Sequence, residues 1–125
     1  MDKRLTLSLI AAGAAALAAT QAQSHHGWAG QGSTQFELSG TLHKPVSFAG
    51  PHATMQIQDD KGQVWDLTLA PPNRTLNAGL TEDAIPVGAA VTVSGHRSSD
   101  PERFEIKTER VTYGDTNFDV YPNRT

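Results

Sequence analysis

The chain contains no cysteine. That absence removes a disulfide framework, a lipid-modified cysteine anchor and thiolate metal or redox chemistry. Positive charge is scarce, at 10 Lys and Arg against 13 Asp and Glu, and beyond Lys3-Arg4 no basic residues cluster. Phosphate backbones and anionic lipid both demand clustered Lys and Arg, so neither nucleic acid nor a membrane surface is an expected partner. Aromatics make up only 6% of the residues. The reactive patterns are missing as well: no Gly-x-Ser-x-Gly elbow, no Gly-rich phosphate loop and no His-Glu-x-x-His. The expectation is a protein that is not an enzyme.

What is present begins with an export pattern. Met1-Asp2-Lys3-Arg4 is a short, net-positive start, and Leu5 to Ala19 is apolar apart from Thr6 and Ser8. That run is shorter than the ~20 residues of a spanning helix. Thr20-Gln21-Ala22-Gln23-Ser24 then offers small residues for a signal peptidase, after Ala22 or after Ser24. Residues 1–24 are expected to be a cleaved signal peptide, with the mature protein in the periplasm and no stable membrane insertion. Loss of Asp2, Lys3 and Arg4 leaves 8 basic against 12 acidic side chains. The remaining hundred or so residues suffice for one core.

Residues 25–34, with Gly27, Gly30, Gly32 and Ser33, read as a flexible arm before a domain spanning 35–125. From Phe36 the pattern becomes period two. Phe36, Leu38, Gly40 and Leu42 alternate with polar residues, Pro45 and then Gly50-Pro51 punctuate a connection, and Ala53, Met55 and Ile57 form a second set, opened by His52. Asp59-Asp60-Lys61-Gly62 is a hairpin turn, and Trp65, Leu67 and Leu69 mark the return strand. Asn73 to Ile85 has helix-like spacing interrupted by Gly79, with Thr81 able to cap a single turn. Val91 and Val93 mark strand four, after Pro86-Val87-Gly88. Strand five is read from Phe104 to Tyr113, inside-outside ambiguous over Phe104, Ile106 and Thr108 and apolar again at Val111 and Tyr113, and Gly114 to Tyr121 reads as a terminal hairpin return. Three strands, a short helical crossover and two strands is the order of an all-β, five-stranded OB-like Greek-key barrel. Gly40 and Gly95 suit its sharp bends. Trp65 and Phe104 are expected in its core, although Trp28, Trp65, Phe104 and Tyr113 can alternatively line a pocket.

The chemistry rests on five histidines. Neutral imidazole is a preferred ligand of copper, nickel and zinc. A cut after Ser24 makes His25 the first residue, so its amine and ring can chelate one metal and a distant histidine can complete the set. A cut after Ala22 yields Gln23-Ser24-His25, a square-planar donor set that favours Cu(II). The alternative is that His25 and His26 are merely solvated. His43 falls on the polar face of strand one. His52 at the start of strand two and His96 at the end of strand four are either hydrogen-bonded structural residues or ligands at a barrel rim. An OB-type pairing places His52 and His96 near opposite ends of strand one. Seven residues at ~3.3 Å each separate those ends by roughly 20 Å, and the ten-residue arm reaches either across about 30 Å. One of the two, not both, is expected to join His25 and His26.

His25-His26-Gly27-Trp28, Leu38-Ser39-Gly40-Thr41, Pro51-His52, Pro72-Asn73, Gly79-Leu80-Thr81, Val87-Gly88 and Val91-Thr92-Val93-Ser94-Gly95-His96 run through the chain. On these motifs the chain resembles a family of small exported bacterial proteins of unknown function with an OB-like barrel. Gly50 stands where that family usually has Asn. The resemblance implies a leader cut just before His25 and puts His25, His26, His52 and His96, but not His43, at motif positions. It implies no activity. The leading expectation is a non-catalytic periplasmic protein that captures copper; the alternative is an OB-type envelope module for a small molecule, peptide or protein, without metal.

Overall fold

The computed structural model of the chain describes residues 34–122. The expected leader and the arm up to residue 33, and with them His25, His26 and Trp28, lie outside the described residues. The elements, in chain order, are β1 (Phe36–Ser47), β2 (Thr54–Gln58), β3 (Val64–Thr68), α1 (Pro72–Asn77), β4 (Ala90–Arg97), β5 (Glu105–Tyr113) and β6 (Thr116–Asp119).

Strands β1 to β3 form an antiparallel meander, and β4 returns antiparallel to the first half of β1. Strand β5 pairs with β4 and closes the sheet by running parallel to β3, with Leu67 opposite Ile106. The result is the closed five-stranded OB-like barrel, with α1 crossing between β3 and β4. The terminal hairpin adds β6 along β5, where Arg110 and Asp119 face each other as an ion pair.

Strand β1 serves two partners: Phe36–Thr41 pair with β4, and Thr41–Ser47 with β2. Gly40 sits at the handover. A side chain there would run into the carbonyl of Gln58, so only the missing Cβ lets the strands approach. The alternation read from the sequence produces the core. Leu42, Met55, Ile57, Trp65, Leu67 and Leu69 are buried from the meander, and Val91, Val93, Ile106 and Val111 from the other strands.

Three boundaries and one burial assignment differ from the sequence reading. Strand β1 continues past Pro45, which is tolerated because the β1–β2 register shifts between Lys44 and Ser47 and no ladder donor is needed there. Strand β2 starts at Thr54 rather than His52, although Ala53 still exchanges backbone bonds with Leu69 and Ala70. The helix is confined to Pro72–Asn77, because Gly79 adopts φ +92° and ends it. After that break Leu80 and Ile85 return to the core from irregular chain. Phe104 is not a core residue. It is 36% exposed, on the barrel lip, its ring edge-on to Trp65 at 5.2 Å.

Candidate functional site

The local event that builds the site is a break in the alternation of β5. Ser94 lies opposite Arg110, but the next residue of β4, Gly95, lies opposite Thr108, leaving Glu109 as the extra residue of a β-bulge. Two consecutive residues, Thr108 and Glu109, are consequently both buried. The backbone carbonyl of Glu109 accepts from the amides of Val120 at 3.0 Å and Tyr121 at 3.2 Å, so the bulge is held by the chain that follows β6. Gly95 makes the crossing possible, since a Cβ there would collide with the Lys107 carbonyl.

This geometry sets a carboxylate against an imidazole. Glu109 Oε2 lies 3.3 Å from His96 Nε2, with the two side chains 1% and 18% exposed. Glu109 Oε1 accepts a hydrogen bond of 3.0 Å from Gln35 Nε2. Glu109 Oε2 itself receives no hydrogen bond from any described residue. The 3.3 Å approach is therefore close but poorly aligned for donation. Because Phe36 pairs with Gly95, Gln35 arrives beside His96, and the chain enters β1 at this end of the barrel.

The adjacent residue faces the other way. Alternation along β4 sends Arg97 to the core side, where its guanidinium lies 4.9 Å from the Trp65 ring centre and 5.6 Å from that of Phe36. Phe36 and Trp65 also stack at 5.6 Å. Arg97 and these rings brace the end of the barrel where His96 and Glu109 lie.

The histidines nominated by sequence are not gathered together within the described part. His96 lies at the end of β4, beside the start of β1. His52 lies in the bend before β2, past the opposite end of β1, since Ser47 pairs with Thr54. A strand as long as β1 spans about 36 Å if straight and less when coiled. His43 is exposed along β1. Among the described residues no three His, Cys, Asp or Glu side chains are grouped to hold a metal. No described helix is long and apolar enough to cross a membrane. A shallow, open concavity lies elsewhere, between α1 and the chain after β6, lined by Asn73, Arg74 and Asp119 among others.

Glu109 was missed by sequence reasoning. Its signal was a phase slip: Ile106 and Thr108 occupy even positions, whereas Val111 and Tyr113 occupy odd ones. A strand that is buried on both sides of such a slip must contain a bulge.

A closed all-β barrel with a helical crossover and a bulge-borne carboxylate against a histidine defines the class: an OB-like domain. The chain belongs to DUF6152, a family of unknown function, whose model matches residues 14–107. That span includes all five histidines and stops short of Glu109. No curated protein and no solved structure matches the chain.

Proposed function

We propose that this protein is an exported, non-catalytic binding protein of the periplasm that captures a late first-row transition metal, copper by its ligand chemistry, through His25, His26 and His96. The observation that carries the choice of His96 is its position. It stands where the chain enters β1, next to Gln35, with the Glu109 carboxylate at its ring. The ten residues from His25 to Gln35 extend to about 30 Å, ample to bring a terminal chelate back to this end. His52, at the far end of β1, is left as a structural residue. Cleavage near Ser24 supplies the free amine that turns the paired imidazoles into a chelate, and amine with imidazole favours Cu(II) in the divalent series.

The test starts with intact-mass measurement of the mature protein, to establish its first residue. Titration of that material with Cu(II) should then show micromolar or tighter binding. Replacing His25 and His26 together by alanine should weaken it at least tenfold, about 1.4 kcal/mol. His96→Ala should weaken it too, while His52→Ala should match the parent. A His25→Ala, His26→Ala protein that binds like the parent would remove the basis for this reading.

A further inference from the structure

The geometry points to Glu109 as a metal ligand: we propose that Glu109 Oε2 and His96 Nε2 form a two-point chelate, the barrel's half of the binding centre. The inference rests on the metal-capture reading and adds to it an oxygen donor that the histidine pattern does not contain.

The first argument is the condition of the carboxylate. A fully buried Glu needs compensation for its charge and a partner for each oxygen. Gln35 satisfies Oε1 with a neutral amide donor. Oε2 has no such donor among the described residues, and the nearest nitrogen, His96 Nε2, approaches off-axis at 3.3 Å. The second argument is the spacing itself. Metal–nitrogen and metal–oxygen bonds of ~2.0–2.1 Å at a tetrahedral angle place the two donor atoms about 3.3 Å apart. The observed 3.3 Å separation equals that bite, and the ~2.9 Å bite of a square-planar Cu(II) site is reached by closing the pair by about 0.4 Å. A metal ion between the atoms would occupy one lone pair of each and neutralise the carboxylate.

The third argument is rigidity. Glu109 is the extra residue of a bulge whose carbonyl is held by two amides, and His96 follows Gly95, which cannot be replaced without moving β5. Two ligands on paired strands are thus set at fixed separation. Imidazole with carboxylate suits Cu(II), Ni(II) and Zn(II) rather than a soft monovalent ion.

The deciding variant is Glu109→Gln. It keeps the shape and the acceptor for Gln35 but removes the charged oxygen. Cu(II) titration should show binding at least tenfold weaker, and the electron paramagnetic resonance spectrum of bound Cu(II) should change as an oxygen donor is lost. The metal-free thermal midpoint should not fall, because a neutral amide is the less costly group to bury. His43→Ala, an exposed position on β1 outside the proposed centre, should bind within threefold of the parent. Unchanged affinity and spectrum in Glu109→Gln would overturn the inference while leaving the arm chelate standing. Weakening in Glu109→Gln and His96→Ala but not in the His25, His26 double variant would support the barrel pair and dismiss the arm. A parent protein that takes up neither Cu(II) nor Zn(II) would end both. Should Glu109→Gln fold poorly, Glu109→Asp, which keeps the charge but draws the oxygens back from His96, decides with the His43→Ala control: Cu(II) affinity and spectrum equal to those of the control would count against direct ligation.

Discussion

Single residues decide how closely these strands meet, and glycine shows it in two different ways. At Gly95 the constraint is contact, since a methyl group would overlap the Lys107 carbonyl across the bulge. Gly95→Ala is expected to destabilise the protein by about 2–4 kcal/mol, in the range of overpacked core sites, and to loosen the seat of Glu109. At Gly88 the constraint is conformation only: φ is +90° and the space around it is open. Gly88→Ala should cost about 1 kcal/mol. Urea unfolding of the two variants checks the ranking, and a Gly95→Ala protein as stable as Gly88→Ala would refute it. Glu109 belongs to the same scale. Its type was visible in the chain, but its burial depends on which residue of β5 the bulge selects, and that is a property of two strands together.

Among the elements, the β2–β3 hairpin is the one most fully written into local sequence. Asp59 Oδ1 accepts from the amides of Lys61 and Gln63, both at 2.9 Å, while Oδ2 accepts from Trp65 Nε1 at 3.0 Å. Gly62 supplies the positive φ that the turn requires. The Trp65 indole, followed by the two turn amides and the Lys61 charge, outweighs burial and holds the Asp59 carboxyl below the usual carboxylate range. A group whose pKa is lowered by folding stabilises the folded state above its unfolded value and loses that contribution as pH falls through the folded one. The stability gap between the parent and Asp59→Asn should thus be full above about pH 4 and shrink on further acidification. Unfolding midpoints followed by tryptophan fluorescence between about pH 6 and pH 2 would measure it across that range. A gap independent of pH would contradict the assignment. The α1 crossover was legible as a helix but not in extent, because Gly79 ends it and Thr75 turns back to donate to the Ala70 carbonyl.

At the scale of the molecule, closure comes from the parallel β3–β5 contact, which joins segments distant in the chain. The described core runs from Leu42 to Val120, with Phe36 and Leu38 of β1 packed against it. A chain beginning at Thr34 is expected to keep the far-ultraviolet circular dichroism of the parent and a thermal midpoint within about 5 °C, a shift of roughly 1 kcal/mol or less. Under the metal reading the same truncation should bind Cu(II) at least tenfold more weakly. Loss of cooperative unfolding on truncation would show that residues before β1 belong to the fold.

Alternating side chains and turn residues determined the strands, their order and the barrel, because a period of two and the φ demands of Asp59-Asp60-Lys61-Gly62 are local properties of the backbone. The same logic explains the misplaced Phe104, whose alternation points inward although the barrel ends at Trp65. Only the tertiary structure decided that the slip between Thr108 and Val111 becomes a bulge at Glu109. It also decided that His96 meets this carboxylate while His52 stands at the far end of β1. Pairing register is settled by packing across the whole sheet, so it selects which charged groups meet, and no local pattern contains that choice.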